Sequence, residues 1–342
     1  MRIALDATYS LSGEPSGVAV YSREILNGTA ASGYAKAWDW FYRSQRYWRS
    51  WRQRVPRNVS RRFLSDSWGS RSADLFHGLN QRLPAKPFRR QIATFHDLFV
   101  MTGDYSSAEF RARFSAQARE AASRADLIVA VSEFTARQVA NLLNFDYARI
   151  RVIHHGTTPR TLPSIPREKI ILCVGAIQRR KNQAGLVRAF RGAPADWNLV
   201  LAGSSGFGAE QVMSEIERSR CAGRIIVTGY VSEADLSAWY ARASIFAFPS
   251  FDEGFGMPIL DAMSAGIPVI AGNRSALPEV AGGAAVLIDP DKNDELAEAL
   301  TALCVDDFQR GELAARGFER SKLFSWRTAV DQTLAVYREL IA

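Results

Sequence analysis

Two loops in the C-terminal half of the chain combine residue types that can do chemistry. In the first, Arg179, Arg180 and Lys181 follow the apolar run 169–176 and precede a helical pattern. A guanidinium offers a fork of N–H groups to phosphate oxygens, and an ammonium offers a compact charge. We therefore expect this loop to bind an anion. A solvated surface loop is the alternative reading of such a run of cations.

The second loop carries two carboxylates, Asp252 and Glu253, ahead of a glycine-rich turn and Pro258. Exposed carboxylates at a helix start can accept hydrogen bonds from hydroxyl groups, and Asp261 lies one turn further into the predicted helix. The helix dipole alone would also favour acidic residues here. If Glu253 is an exposed binding group, replacing it with alanine should reduce activity sharply with little loss of stability.

A third loop, 12–18, is a glycine-rich turn after the first predicted strand. Gly17 would let backbone N–H groups approach a phosphate at the positive end of the following helix. The loop is not the G-x-G-x-x-G fingerprint, which disfavours a nicotinamide-dependent oxidoreductase.

The elements that must position these loops alternate between apolar runs and helical patterns, which is typical of parallel, doubly wound α/β sheets. The predicted strands are 2–8, 90–98, 125–132 and 148–156 in the N-terminal half, and 169–176, 198–204, 224–230, 244–250, 267–273 and 284–290 in the C-terminal half. The predicted helices are 18–27, 108–123, 133–143, 182–190, 209–219, 233–241, 258–265 and 294–303. Ligands of such sheets bind at the carboxyl ends of strands, where the three loops lie.

The pattern predicts two Rossmann-like domains that face a cleft. Three prolines between positions 159 and 166 form a stiff linker at the join. We predict an N-terminal Rossmann-like domain over 1–158 and a C-terminal Rossmann-like domain over 159–322. Residues 323–342 are predicted to be a helix that packs back toward the N-terminal domain.

The charge of this 342-residue chain is concentrated in one segment. Residues 36–71 hold ten Lys/Arg and two Asp, which equals the whole formal net charge of +8, and five of the eight tryptophans. On a helical wheel, Trp38, Phe41, Trp48, Trp51 and Val55 share a stripe. Such a basic amphipathic helix could bind nucleic acid, lie on a membrane, or pack on its own domain with solvated arginines.

The stretch EGFGMPILDAMSAGIPVIAGNRSALPEVAGGAAVLIDP resembles the signature of retaining glycosyltransferases of family 4, which have the GT-B fold. The resemblance continues through VGAIQRRKN, GYVSEADLSAWYARASIFAFPS and FSWRTAVDQTLAVYREL, and back through SGVAVYS, FHDL and VSEFTARQV. It covers nearly the whole chain and is weakest between Lys36 and Arg71.

This resemblance implies roles for the loops. Arg180 and Lys181 would hold the diphosphate of the sugar nucleotide, with Arg179 as a second candidate, because Ala176 stands where many members have arginine. Gly17 would approach the same phosphates. Glu253 would bind sugar hydroxyls, beside the N–H groups of Gly254, Phe255 and Gly256. Asp261 stands where the family usually has a glutamate that contacts ribose, so the shorter side chain predicts a longer or altered contact.

The histidines lie in the N-terminal half. The family places a sugar-contacting histidine at the position of His96, with Asp97 beside it, and His77 is a second cleft candidate. His154 and His155 are read as strand-end packing.

No group of residues with the spacing of a metal site is present, and the D-P-D at 289–291 reads as a turn. We therefore expect catalysis by Arg and Lys without a metal or other cofactor.

The resemblance implies a retaining, metal-independent hexosyltransferase, with a nucleotide diphosphate sugar on the C-terminal domain (159–322) and the acceptor on the N-terminal domain (1–158). The run AGNRSALPEV (271–280) resembles a clade rich in mannosyltransferases, which makes GDP-mannose the first choice. The acceptor would be a glycan or lipid-linked saccharide of surface polysaccharide such as lipopolysaccharide. A non-catalytic sugar-nucleotide-binding protein is the alternative, and an oxidoreductase is the second. Arg43, Arg46, Trp48, Arg49, Trp51 and Arg52 would contact the acceptor or an anionic membrane rather than nucleic acid. Unpaired cysteines and the absence of a signal peptide predict a cytoplasmic protein, placed peripherally at the inner membrane face.

Overall fold

A computed structural model describes residues 1–12, 16–65 and 72–341. The chain divides into two compact units: the first contains Met1–Thr102, Ser107–Gly156 and Ser325–Ala342, and the second contains Gly103–Ser106 and Thr157–Phe324.

The first unit is built on a seven-stranded sheet whose paired strands are all parallel, in the order β3-β2-β1-β4-β5-β6-β7. The strands are β1 Arg2–Asp6, β2 Ala37–Arg43, β3 Val59–Leu64, β4 Leu75–Gly78, β5 Gln91–Phe95, β6 Leu127–Ala130 and β7 Ile150–Val152. The helices are α1 Gly17–Ala31, α2 Ser44–Tyr47, α3 Phe99–Thr102, α4 Ala108–Arg124, α5 Glu133–Leu143 and the C-terminal helix Trp326–Ile341. Short 3-10 helices cover Thr8–Leu11, Trp48–Arg52 and Tyr147–Arg149.

The second unit has a six-stranded parallel sheet in the order β10-β9-β8-β11-β12-β13. Its strands are β8 Ile170–Val174, β9 Asn198–Ala202, β10 Ile225–Gly229, β11 Ile245–Phe248, β12 Val269–Gly272 and β13 Val286–Ile288. Its helices are α6 Gln183–Phe190, α7 Ala209–Glu217, α8 Glu233–Arg242, α9 Met257–Ser264, α10 Leu277–Ala281, α11 Asn293–Val305 and α12 Asp307–Ser321. Arg179–Lys181 and Ala222–Arg224 are 3-10 helices.

The predicted α/β class with two parallel, doubly wound sheets is confirmed. All six apolar runs of the C-terminal half form strands, and the central ones are covered on both faces. Helix starts follow the capping residues of the sequence: the Ser107 hydroxyl accepts from the Phe110 N–H at 3.2 Å, and Ser132 accepts from Thr135 at 3.0 Å.

The predicted helical stripe through Trp38 and Phe41 is wrong. Residues 37–43 form β2, which pairs with β1 and β3 and is buried from Trp38 onward. Aromatic residues favour strands, and pairing on both edges together with cover on both faces overrides the helical spacing. The strands at 59–64 and 75–78 were not predicted.

None of the helices in the described ranges is long and apolar enough to span a membrane. Within the same ranges, no group of three His, Cys, Asp or Glu side chains is placed to hold a metal ion.

Candidate functional site

The loop predicted to bind an anion begins where β8 ends, in the second unit. Gly175 has a φ of +130°, a conformation that favours glycine, and a Cβ there would lie 3.1 Å from the Lys181 side chain. The 3-10 helix Arg179–Lys181 follows, and Asn182, with a φ of +54°, then opens α6. This tight path turns the Arg180 and Lys181 side chains inward, and both residues are buried.

The carboxylate loop lies against this turn. The Phe251 N–H donates to the Arg180 carbonyl at 2.9 Å, and the Arg180 guanidinium donates to the Asp252 carbonyl. Two loops that are 72 residues apart in sequence therefore form one structure at the carboxyl edge of the sheet.

Glu253 is the centre of this structure. Its Oε1 atom lies 2.9 Å from both Lys181 Nζ and an Arg180 guanidinium nitrogen, and it accepts from the Ser250 hydroxyl at 3.1 Å. None of the described contacts uses Oε2. Three protein groups thus hold one of the two carboxylate oxygens.

Glu253 and Asp252 are buried, with 8% and 7% of their surface exposed, which corrects the expectation of exposed carboxylates. Burial alone would raise the pKa of Glu253, but Arg180 and Lys181 outweigh it and lower that pKa to about 2. Burial lowers the pKa of Lys181, partly opposed by Glu253, and the ammonium lies 4.4 Å from the centre of the Phe248 ring.

The backbone around Glu253 is also fixed. Its N–H donates to the Ser275 hydroxyl at 3.0 Å, and its carbonyl accepts from the Ala276 N–H at 3.2 Å. Ser275 adopts a left-handed conformation with a φ of +59°, which costs roughly 1–2 kcal/mol in a residue with a side chain. Gly256, with a φ of +100°, then turns the chain into α9. Gly254 and Phe255 of this turn are buried.

Asp261 projects from α9 into a cluster that the sequence reading did not find. Its carboxylate accepts from the Thr157 hydroxyl and the Arg160 guanidinium, each at 3.1 Å. Arg160 also contacts Glu233 at 2.7 Å and lies 5.2 Å from the centre of the Tyr240 ring. Burial raises the pKa of Asp261 more than Arg160 and Thr157 lower it. The sequence feature that could have indicated this cluster is Arg160, a cation inside the proline-rich linker.

The D-P-D stretch forms a turn. Arg274 contacts Asp289 and Asp291 at 2.6 Å each, and the Asp289 carboxylate accepts from the Asp291 N–H at 3.1 Å. The Asn182 amide donates to the Pro290 carbonyl at 2.9 Å, which ties this turn to the start of α6.

His96 of the first unit is buried just after β5. Its Nε2 lies 3.0 Å from the Leu79 carbonyl, its ring stacks on His155 at 5.4 Å, and the Tyr21 ring meets it edge-on at 4.8 Å. Burial lowers the pKa of His96 to about 4, although the Leu79 hydrogen bond opposes this. A neutral ring that donates from Nε2 leaves Nδ1 as an acceptor, and none of the described contacts uses Nδ1.

His77 is part of the structural core. Its ring nitrogens lie 2.7 Å from the Tyr337 hydroxyl and 2.8 Å from the Thr94 hydroxyl, and it is fully buried. Burial lowers its pKa to about 3. Since both nitrogens are bound by protein groups, His77 has none left for a substrate.

The other predicted residues of the first unit lie at the carboxyl ends of strands or at a helix start. Gly17 is the first residue of α1, behind the Ser16 cap, while residues 13–15 of the predicted phosphate turn lie outside the described ranges. Asp97 is half-buried just after β5.

The six residues proposed for acceptor or membrane separate into two groups. Arg43 ends β2, where it is buried and lies 3.4 Å from Asp6, and Arg46 donates to the Thr8 carbonyl at 3.3 Å. In contrast, Trp48, Arg49, Trp51 and Arg52 are exposed, which does not fit the alternative in which the tryptophans pack on their own domain.

A cavity of about 400 Å³ also lies in the first unit, between α4 and the loop after β4. Arginines dominate its charged lining, which consists of Arg43, Arg82, Arg113, Arg124 and Glu120. Glu120 pairs with Arg124 at 2.7 Å, whereas Arg82 and Arg113 have no carboxylate partner in the described part of the chain. The cavity is therefore electropositive.

Comparison with known proteins gives matches over both units. Residues 157–320 match the family described as "Glycosyl transferases group 1", and residues 18–160 match "Glycosyltransferase Family 4". The O-antigen chain mannosyltransferase B of Escherichia coli is 33% identical over 284 residues, which cover 78% of this chain and 74% of that protein. A D-inositol 3-phosphate glycosyltransferase from Nocardioides sp. is 29% identical over 63% of this chain, and the match spans only 54% of that relative.

Solved structures share the architecture. Sucrose-phosphate synthase from Thermosynechococcus elongatus superimposes with a TM-score of 0.80, at 21% identity and with 99% of each chain covered. The Anabaena protein HepE, in complex with UDP and glucose, gives a TM-score of 0.77 at 19% identity over 99% of this chain and 100% of its own. Similarity at this level of identity supports the fold.

Proposed function

Because the chain belongs to the group 1 and family 4 glycosyltransferases, we propose that it moves a hexose from a nucleotide diphosphate sugar to a glycan or lipid-linked acceptor. One observation carries this proposal. Arg180 and Lys181 converge on one carboxylate oxygen of Glu253, so two cations for a diphosphate lie beside a second oxygen that can accept from a sugar hydroxyl.

In this proposal Arg180 and Lys181 hold the diphosphate, with Arg179 at its margin, and stabilise the charge that develops as it leaves. Oε2 of Glu253 accepts a hydroxyl hydrogen bond from the sugar. Before substrate binds, Glu253 compensates the buried cations. The anionic leaving group would share in compensating the charges of Arg180 and Lys181, so these side chains need to move little when it binds.

We propose that the reaction retains the anomeric configuration by attack on the same face from which the phosphate leaves. The bond from the anomeric carbon to the acceptor oxygen forms as its bond to the phosphate oxygen breaks. The leaving phosphate oxygen receives the acceptor proton. Double displacement would require a carboxylate nucleophile. Glu253 is poorly suited to that role because Arg180, Lys181 and Ser250 hold its Oε1 atom, and because Arg180 and Lys181 lower its pKa.

We propose that transfer needs no metal, because Arg180 and Lys181 supply the positive charge that stabilises the leaving diphosphate. Asp261 is assigned to the nucleotide ribose, where Thr157 and Arg160 would orient its shorter side chain. His96 is assigned to the sugar, as a neutral acceptor through Nδ1, with Asp97 beside it. Gly17 is assigned to the diphosphate.

GDP-mannose is the proposed sugar nucleotide, and the similarity to an O-antigen chain mannosyltransferase supports it. UDP-glucose is the competing choice, since HepE was solved with UDP and glucose. The acceptor is proposed to be a saccharide of surface polysaccharide synthesis, made at the inner face of the cytoplasmic membrane. The electropositive cavity beside Arg43 would suit a phosphate or pyrophosphate on a lipid-linked acceptor.

The test is a transfer and hydrolysis assay of the purified protein with GDP-mannose, GDP-fucose and UDP-glucose. Lipid-linked acceptor extract and EDTA are each added in separate arms, and NMR assigns the anomeric configuration of the product. We expect transfer from GDP-mannose, unchanged by EDTA, with retained configuration. Binding of a sugar nucleotide without transfer or hydrolysis in any arm would favour the non-catalytic alternative.

A further inference from the structure

The geometry points to a docking surface for anionic lipid on the 3-10 helix Trp48–Arg52. We call Trp48, Arg49, Trp51, Arg52 and Arg54 the arginine–tryptophan surface. Trp48 is 79% exposed and Trp51 is 61% exposed, and the three arginines are exposed as well. An indole body with a polar N–H suits the boundary between lipid head groups and acyl chains.

The 3-10 helix places the tryptophans on one side and the arginines on another. A 3-10 helix has three residues per turn, so side chains three apart lie on the same side. Trp48 and Trp51 therefore share one side, and Arg49 and Arg52 share the next. Val305 and Phe308 are also exposed and three residues apart, but Asp306 and Asp307 lie between them, whereas arginines lie beside Trp48 and Trp51. Single exposed apolar residues are ordinary on a protein surface.

The surface has a rigid base. The Arg61 guanidinium donates to the Ser50 carbonyl at 3.2 Å and to the Gln53 carbonyl, and it lies 5.3 Å from the centre of the Trp51 ring. The Tyr42 hydroxyl donates to the Gln53 side chain at 2.9 Å. These contacts fix the backbone that carries the two tryptophans and hold the Trp51 indole, so little further entropy is lost there on docking.

The positive charge of residues 41–65 favours an anionic partner. Residues 41–65 contain eight arginines and no acidic residue. Arg43 and Arg62 pair with Asp6 and Asp39, whereas no arginine of the arginine–tryptophan surface has a carboxylate partner in the described ranges. Uncompensated cations beside projecting indoles complement an anionic bilayer. Nucleic acid would also attract the cations, and the experiment below includes it.

This inference goes beyond sugar transfer and does not depend on which sugar is moved. The surface follows directly on β2, and the ends of β1 and β5 lie at the same edge of this parallel sheet. Docking there would bring that edge of the first unit close to lipid-linked molecules.

The experiment is flotation of the full chain with two vesicle types, pure phosphatidylcholine and equal parts phosphatidylcholine and phosphatidylglycerol, at low and high salt. We expect binding to the anionic vesicles at low salt, weaker binding at high salt, and little binding to neutral vesicles. A blue shift of tryptophan fluorescence should accompany binding.

Two double variants test the residues. Trp48→Ala with Trp51→Ala should weaken binding at least about tenfold, because the exposed apolar area is lost. Arg49→Gln with Arg52→Gln should weaken it roughly 25-fold, at about fivefold for each cation near an anionic surface. Matched controls are Phe308→Ala and the pair Arg137→Gln with Arg327→Gln, which remove exposed groups elsewhere and should leave binding unchanged. Melting curves confirm that each variant is folded.

Several results would overturn the inference. These are no binding of the wild type to anionic vesicles at low salt, equal binding to both vesicle types, or equal loss in the control variants. Binding of a labelled RNA oligonucleotide that needs Trp48 and Trp51, without vesicle binding, would assign the surface to nucleic acid. None of these results bears on sugar transfer to a soluble acceptor, so the two proposals fail separately.

Discussion

Replacing Glu253 with glutamine tests the central feature of the site. The substitution keeps the size of the side chain but leaves Arg180 and Lys181 buried without their shared carboxylate. The pKa of Glu253 falls from 4.5 to about 2 on folding, which corresponds to about 3 kcal/mol of stabilisation. In the second unit, a loss of about 3 kcal/mol lowers the melting temperature by roughly 6–12 °C.

The dependence on pH has a defined sign. Because the folded pKa lies below the unfolded pKa, the carboxylate contributes its full stabilisation above pH 4.5 and loses it as the pH falls toward 2. The difference between wild type and Glu253→Gln should therefore be constant from neutral pH to about 5.5 and shrink below 4.5.

Calorimetry at several pH values measures this, and Glu215→Gln is the matched control. Glu215 also contacts two arginines, Arg188 at 3.1 Å and Arg191 at 3.2 Å, but these pairs lie at the surface. The control should change the unfolding free energy by less than about 1 kcal/mol.

Sugar transfer by Glu253→Gln should fall by at least about a hundredfold, because one preorganised polar contact to the reacting sugar is lost. A Glu253→Gln protein that melts like the wild type at every pH would refute the ion cluster.

The remaining predictions concern three other residues. Lys181→Met should weaken binding of the nucleoside diphosphate by roughly tenfold or more, because one charge-assisted contact worth about 1.5–3 kcal/mol is lost. Titration calorimetry measures this against Lys169→Met, at an exposed lysine that pairs with Asp196, and equal affinities would remove Lys181 from the site. Asp261→Asn should raise KM for the sugar nucleotide more than it lowers kcat, since its assigned contact is to the non-reacting ribose; a change in kcat alone would contradict that role. His96 has a folded pKa of about 4, below its usual 6.5, so the unfolded chain binds more protons between these values. His96 should thus contribute up to about 3 kcal/mol to the fall in unfolding free energy of the first unit as the pH drops from 6.5 to 4, and the fall should be smaller in His96→Asn. Identical pH dependence of the two proteins would contradict a buried neutral His96.

Because Glu253, Arg180 and Lys181 form a buried ion cluster, a loss of activity in a Glu253 variant can reflect lost stability as well as a lost contact to the substrate. From sequence, Glu253 looks like a surface carboxylate whose removal spares stability. In the structure the same oxygen compensates two buried cations, and breaking such a pair leaves uncompensated charge in a poorly solvated place. Activity measurements on Glu253 variants therefore need a parallel stability measurement.

Sequence by itself determined the α/β class and most of the second unit. The six apolar runs from 169–176 to 284–290 all became strands, and the central ones are apolar along their length because they are covered on both faces. The motifs around Arg180 and Glu253 identified the family, and chain order placed both loops after strands of one parallel sheet, hence at one edge.

Only the tertiary structure decided which residues contact each other and which remain in solvent. The contact of Glu253 Oε1 with Arg180 and Lys181, and the Thr157–Arg160–Asp261 cluster, join residues 72 to 104 positions apart. The spacing of Trp38, Phe41, Trp48 and Trp51 fits a helix, yet pairing with β1 and β3 made the first two a buried strand and left the last two exposed beyond its end. Local spacing could not resolve this, because pairing partners and cover on a second face come from distant parts of the chain. The arginines and tryptophans that looked like one amphipathic helix are thus a core strand followed by an exposed surface.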